Sequence, residues 1–411
     1  MTSVDVRTRV DGPAPDLDPA EFFAHTLPSL VDAHADCILP ALAFIEPRPT
    51  VLDVDGEAWL LRGDDGRVTI TPGDAVDAVA HASLTRAQLA DLVADQQTIM
   101  SLWAGNTLAQ SRGTVGHLLD WWLVLRAALD GTPIYTPGSV ALVDRDGAPL
   151  DLTRTFRHGD DTEEMSYFLR TAGFLHIESL FTEAEMAAIS ADMDRAAPTY
   201  EQGDGRSWWA RTATGETRVV RMQGFDRESE GAHALLDDER FLGLAALPGA
   251  GHEFGRKRAR NRIEALFKPI GVTEGISDIP WHKDCGIGRH SYDCSGLTVG
   301  ISVTGADAVS GQLWALAGSH RALVWSGILQ PDVDLPRVPL ATRTGDVTLH
   351  LSCTMHMAQP PVERERRVMY SGFSLPPLDN ADADAIAAAR ARLGSVRETA
   401  PLTVLDRHFK S

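Results

Sequence analysis

A histidine and an aspartate two residues apart, His282 and Asp284, constrain this chain more than any other feature. They sit in Ile279-Pro280-Trp281-His282-Lys283-Asp284-Cys285-Gly286, in the half of the sequence where short strand-like runs follow one another. On a β-strand, residues i and i+2 point to the same face, so one strand can offer an imidazole and a carboxylate to one ion. A second histidine, His356, follows in Gly345-Asp346-Val347 through Thr354-Met355-His356. Two imidazoles and one carboxylate form the ligand set of a facial iron site with open coordination positions.

The bare triplet carries little weight, because 14 His and 38 Asp in 411 residues give about one His-x-Asp by chance. Three occur, and local structure separates them. His34 and Asp36 lie in a run from Ser29 to Leu39 that reads as a helix ended by Pro40, where i and i+2 diverge by about 200°. His158 and Asp160 lie in a polar connector in which Asp160 or Asp161 serves better as the cap of the next helix. Only His282/Asp284 is flanked by strand-like runs and followed by a third ligand.

The rest of the chain sets the frame. With 411 residues there is room for two domains, and 44% hydrophobic and 23% charged residues are ordinary for a globular protein. A net charge of −19 argues against general nucleic-acid binding. No apolar run is long enough to span a membrane, and Met1 to Arg7 lacks the layout of a signal peptide. Cys37, Cys285, Cys294 and Cys353 form no Cys-x-x-Cys or paired framework, which suits reduced thiols and a cytoplasmic location. The basic run Arg256 to Arg262 reads as a solvated loop or as a landing site for an anionic part of a substrate. Oligomeric state leaves no mark in the sequence.

The expected organisation is a mobile N-terminus over 1–20, an α+β domain over 21–155, a β-rich domain over 163–378, and a C-terminal helix and tail over 379–411. In the N-terminal part, Val51–Val54 and Glu57–Leu61 read as strands joined at Asp55-Gly56, and Arg67–Thr71 as a third. Thr85 and Gln88 form a capping box, and Val115–Asp130 reads as a helix stopped by Gly131. Further on, Gly173 ends a helix, and Thr182 with Glu185 opens another to about Ala196. Beyond residue 262, strand candidates at 262–268, 297–303, 312–316, 346–351 and 366–374 suggest a sandwich or jelly roll.

An oxygenase that takes its electrons from a 2-oxo acid needs a cation for the far carboxylate of that acid, and arginine suits the task. Arg366 and Arg367 open the last strand and face opposite ways, so one of them points inward; alternation does not say which. His350 and His320 read as packed or supporting histidines. The loop Cys285 to Ser295 reads as part of the substrate pocket or as a surface loop.

Residues from about 165 to 378 resemble the phytanoyl-CoA dioxygenase family of iron- and 2-oxoglutarate-dependent oxygenases. The matching blocks are the helix-Gly-Phe opening at Gly173-Phe174, Trp281-His282-Lys283-Asp284, Gly311 with Gly318-Ser319-His320-Arg321, Gly345-Asp346-Val347, and Thr354-Met355-His356, all in family order. The resemblance implies a double-stranded β-helix (jelly-roll, cupin-like) with flanking helices, and Fe(II), 2-oxoglutarate and O2 as cofactor and co-substrates. It implies His282, Asp284 and His356 as metal ligands. The family spacing of eleven residues after the distal histidine selects Arg367 for the oxo acid, and Lys268 matches a strand position able to contact it. The segment Met357 to Pro361 departs from the family, which often has glycine, serine and asparagine there.

The implied reaction is hydroxylation of an unactivated C–H bond in a lipophilic or carrier-linked small molecule, with release of succinate and CO2. Asp284 argues against halogenation, since related halogenases lack that carboxylate. Desaturation, ring formation or epimerisation, and a non-catalytic binding protein on the same fold, are the alternatives. Residues 45–135 faintly resemble the sterol-carrier lipid-binding domain, through the strand pair, the Ala75-to-Leu92 stretch, and Gly105, Gly113 and Gly116 ahead of the amphipathic helix. That resemblance implies a unit that binds a hydrophobic substrate; a scaffold or dimerisation unit is the other reading.

Overall fold

The computed structural model describes residues 14–376 and Asp384, apart from 65, 106, 250, 254–261, 276, 286–295, 328, 329 and 331. Most of the basic run, of the loop after Cys285, of the N-terminal segment and of the C-terminal tail therefore lies outside the described residues.

The N-terminal unit holds a five-stranded sheet of β1 (Thr50–Val54), β2 (Glu57–Asp64), β3 (Arg67–Pro72), β4 (Ala80–Leu84) and β5 (Ala109–Arg112), in the order β3-β2-β1-β4-β5. The turn at Asp55-Gly56 joins β1 to β2 as expected; both residues have positive φ. Thr85 and Gln88 make the expected reciprocal cap. The helix Val115–Asp130 ends at Gly131 with φ 61°. Its Leu118, Trp121, Trp122, Leu125 and Ala128 are buried, so the apolar stripe is core. One expectation fails here. The run from Ser29 to Leu39 is broken at His34 into helices Leu27–Ala33 and Ala35–Ile45, and Pro40 lies inside the second rather than ending it. Pro40 is the sixth residue of that helix, past the first turn, where a missing N–H removes a ladder bond.

The second unit contains a nine-stranded sheet of β6 (Phe156–Arg157), β7 (Phe174–Glu178), β8 (Ser207–Thr212), β9 (Thr217–Gln223), β10 (Glu264–Lys268), β11 (Val272–Gly275), β12 (Gly296–Ser302), β15 (Val347–Leu351) and β17 (Arg366–Ser374). Its order is β11-β8-β9-β10-β17-β12-β15-β7-β6. A smaller sheet has β13 (Leu313–Leu316), β14 (Arg337–Leu340) and β16 (His356–Ala358), ordered β14-β13-β16. Leu313 and Leu340 of the small sheet line the same cavity as Gly300, Thr348, Arg366 and Tyr370 of the large one, so the two sheets face each other. The helix Thr162–Ala172 is capped by Asp161 and stopped by Gly173, and Glu183–Ala196 carries the Thr182/Glu185 box.

The N-terminal core does not stop at residue 155. It takes in Leu316, Ala322 to Trp325, Val333, Leu335 and Met355 from the second unit. No single helix among the described residues is long and apolar enough to cross a membrane; Pro19–Ala33 and Ala35–Ile45 pass that test only together, bent by 93°.

Candidate metal centre and oxo-acid pocket

The backbone brings the first ligand pair to the third. His282 and His356 form an isolated antiparallel bridge, each N–H donating to the other's carbonyl at 2.9 Å. The expectation that His282 and Asp284 share one strand fails: only His282 is in a bridge, and Asp284 is already helical, so the turn between them aims both at one point. The ligand atoms of His282, Asp284 and His356 all lie within 4.8 Å of one another, and they form the one such cluster among the described residues. Asp284 Oδ1 is 3.4 Å from His282 Nε2 and 3.7 Å from His356 Nε2. Both rings are oriented from behind: Nδ1 of His282 donates to Pro280 O at 2.7 Å, and Nδ1 of His356 to Thr354 O at 2.9 Å. That fixes the tautomer and leaves each Nε2 lone pair turned toward the carboxylate.

The electrostatics suit a cation. Burial works against the charge on Asp284, but His356, His282 and His350 outweigh it and hold the carboxyl well below the usual carboxylate range. Burial first, then His350 and His282, keep the His356 imidazole well below its ordinary value, hence neutral and able to donate an electron pair. Thr298 Oγ1 donates to Asp284 Oδ2 at 3.1 Å. The donor set of two imidazoles and one oriented carboxylate fits iron(II) with open positions.

His350 stands beside this trio as a buried support. Its Nε2 is 3.4 Å from Asp284 Oδ2 and its ring centroid 4.2 Å from that of His356. His320 sits in the turn Ser319–Arg321, with Nε2 2.8 Å from Arg170 O, away from the cluster; burial pulls its pKa down to about 4. The thiols of Cys285 and Cys353, each close in sequence to a ligand, touch at 2.9 Å, a proximity that their spacing does not reveal.

The two neighbouring arginines of β17 face opposite ways, and Arg367, the one expected to hold the oxo acid, is the outer one. Arg367 points away from the interior: its guanidinium makes two 2.8 Å bonds to Asp194 and donates to Ser190 O and Oγ on the helix Glu183–Ala196, over the Phe267 ring. Arg366 takes the inward position. It is 4% exposed, and its Nε and Nη2 have no hydrogen-bond partner. The physical reason is strand alternation: Arg366 pairs with Lys268 and Arg367 with Phe267 across the β10–β17 ladder, so Arg366 shares a face with Lys268. Arg366 stands ten residues after His356 and Arg367 eleven, so chain spacing alone does not select the inward one.

Lys268 is inside, 4% exposed. Its ammonium donates to Ser277 O and stands 3.4 Å from Asp278 Oδ1. Burial lowers its pKa to about 8, opposed by Asp278 and assisted by Arg366. Sequence reasoning missed Tyr370, Thr348 and Gly300, which line the cavity beside Arg366. A Cβ on Gly300 would come within 2.9 Å of Thr348 Oγ1 and 3.0 Å of the Tyr370 ring. In the ladder Gly300 lies two residues from Thr298, the residue that touches Asp284, so the cavity and the ligand cluster are neighbours on one sheet face.

The family model for phytanoyl-CoA dioxygenase matches residues 169–368. Among solved structures, the chain is similar to EctD from S. alaskensis with 2-oxoglutarate and 5-hydroxyectoine (16% identity, 59% of this chain and 86% of that one, TM-score 0.43). It is also similar to EvdO2 from Micromonospora carbonacea var. aurantiaca complexed with 2-oxoglutarate (23%, 55% and 93%, TM-score 0.39). A third similar structure is the non-heme alpha ketoglutarate dependent epimerase SnoN from nogalamycin biosynthesis (18%, 52% and 80%, TM-score 0.40). Among proteins of curated function, none matches.

Proposed function

Residues 169–368 belong to the phytanoyl-CoA dioxygenase family of iron(II)- and 2-oxoglutarate-dependent oxygenases, and from that premise we propose that the protein hydroxylates an unactivated C–H bond of a small molecule. The carrying observation is Arg366: a buried guanidinium with two unpartnered nitrogens, in a cavity beside the His282, Asp284 and His356 cluster. An uncompensated buried charge costs several kcal/mol, so the site is built for an anion. The order β10-β17-β12-β15 facing β14-β13-β16, with His282 bridged to β16, supports reading the unit as a double-stranded β-helix.

In this reading His282, Asp284 and His356 hold iron(II), and Arg366 takes the far carboxylate of 2-oxoglutarate. Lys268 adds positive charge beside Arg366, and Gly300 keeps room in the cavity that Arg366 lines. When bound, iron and oxo acid supply an oxidation of C–H by O2 that releases succinate and CO2. The protein's own work is to orient the oxo acid, to fix the ligand rings through the Pro280 and Thr354 carbonyls, and to exclude water. Asp284 fills the position that a halide would need, which favours hydroxylation over halogenation. The lipophilic or carrier-linked character of the substrate rests on the sterol-carrier resemblance of residues 45–135, and a reducing cytoplasmic setting on the thiols.

The test is succinate formation from 2-oxoglutarate with ferrous iron under air. Turnover that vanishes in His356→Ala supports the reading. Absence of both turnover and iron binding in the wild type favours a binding protein on the same fold.

A further inference from the structure

We infer that the N-terminal unit sets the geometry of the metal centre, and that Lys283 is the positioning residue through which it acts. This rests on the metal-centre reading above.

Along residues 281–284 the side chains part. His282 and Asp284 turn to the ligand cluster. Trp281 packs on the N-terminal core, and Lys283 is fully buried on the other side. The Lys283 ammonium donates to Ser319 O at 3.1 Å and to Ala322 O at 3.4 Å, while its backbone N–H donates to Ser326 O at 2.9 Å. The same short segment reaches the other ligand-bearing chain: Ser319 Oγ accepts from the N–H of Met355, the residue before His356, at 2.8 Å. Segment 319–326 thus holds both ligand-bearing stretches.

Its opposite side is held by the N-terminal unit. Ile134 bridges Leu323, Tyr135 N–H donates to Leu323 O at 3.1 Å, and the Trp325 indole N–H donates to Asp120 Oδ1 at 2.7 Å. Arg321 donates to Ala141 O at 2.9 Å. The route runs from Asp120 through Trp325 and segment 319–326 to Lys283, which stands between two ligands in the sequence. Groups that orient metal ligands from behind typically change metal affinity by about 10- to 100-fold when removed. The N-terminal unit is then a working part of the metal centre.

The experiment is anaerobic Co(II) titration of the full-length protein, read by affinity and by the visible Co(II) spectrum, with circular dichroism as the check on folding. His356→Ala is the control for a lost ligand. Lys283→Met is expected to weaken Co(II) binding about tenfold or more and to alter the spectrum, with unchanged circular dichroism. Trp325→Phe keeps the ring and removes one hydrogen bond, and it is expected to shift both readouts the same way by a smaller factor. Wild-type affinity and spectrum in both folded variants overturn the inference. Should Lys283→Met fail to fold, Trp325→Phe decides on the same readouts. Failure of the wild type to bind Co(II) strikes instead at the metal-centre reading, and the inference goes with it.

Discussion

Lys268 and Arg366 stand opposite each other across the β10–β17 ladder, both buried in one interior. Two cations side by side repel, so Arg366 adds to burial in holding the Lys268 pKa down. Asp278 answers Lys268 alone. The remaining positive charge is what a dicarboxylate such as 2-oxoglutarate would neutralise.

Exchanging the two neighbouring arginines separates inside from outside. Arg366→Ala should raise KM for 2-oxoglutarate by roughly 30-fold to several-thousand-fold, since losing one partner of a buried charge pair costs about 2–5 kcal/mol. Arg367→Ala should leave that KM unchanged and lower stability by about 1 kcal/mol, because it loses a partly exposed pair with Asp194. Initial rates at varied 2-oxoglutarate and a urea titration read the two effects. The reverse pattern would return the role to Arg367.

The second prediction concerns pH. Lys268 is charged below its pKa of about 8 and loses its proton above it. As pH rises through that value the cavity loses one positive charge, so KM for 2-oxoglutarate should rise. In Lys268→Gln the KM should be high throughout and flat across the same range. A wild-type KM that stays constant from pH 7 to about pH 9 would remove Lys268 from the binding site.

The split between Arg366 and Arg367 also marks where the sequence stops being legible. The ligand trio could be read because residue chemistry and family order both constrain it, and the helix ends because Thr85, Gly131, Gly173 and Thr182 act locally. The inward arginine depends on the register of β17 against β10, which is a long-range property. Strands β8 and β9 lack a clean alternation of apolar and polar residues, with Trp208 next to Trp209 in one and Val219 next to Val220 in the other. The union of the two cores through Ala322 to Trp325, Val333 and Leu335 had no local signal at all.

Gly300 is a test of the cavity beside Arg366. An added methyl would press on Thr348 and the Tyr370 ring, which belong to rigid strands. Gly300→Ala should therefore weaken 2-oxoglutarate binding about tenfold or more, with overpacking of about 1–3 kcal/mol shared between stability and binding. Metal affinity should hold, since the ligands lie beyond Thr298. Calorimetric titration of the cobalt-loaded protein with 2-oxoglutarate reads this directly; unaltered affinity would show that the co-substrate does not reach Gly300.

Asp120 gives the last prediction, and its sign runs opposite to that of an ordinary ion-paired carboxylate. Burial raises its pKa to about 7, partly offset by the Trp325 indole N–H. The folded protein then holds a proton that the unfolded chain gives up near the ordinary value of about 4. Stability contributed by this group is complete below pH 4, falls as pH rises toward about 7, and is level above that. Asp120→Asn keeps an oxygen for the indole N–H and removes the charge. It should flatten this part of the profile and stabilise the protein at pH 8 by on the order of 1–3 kcal/mol. Urea unfolding of both proteins at pH 5 and pH 8 measures it. Equal stability losses in the two proteins between those values would mean that Asp120 ionises in the folded state as it does in water.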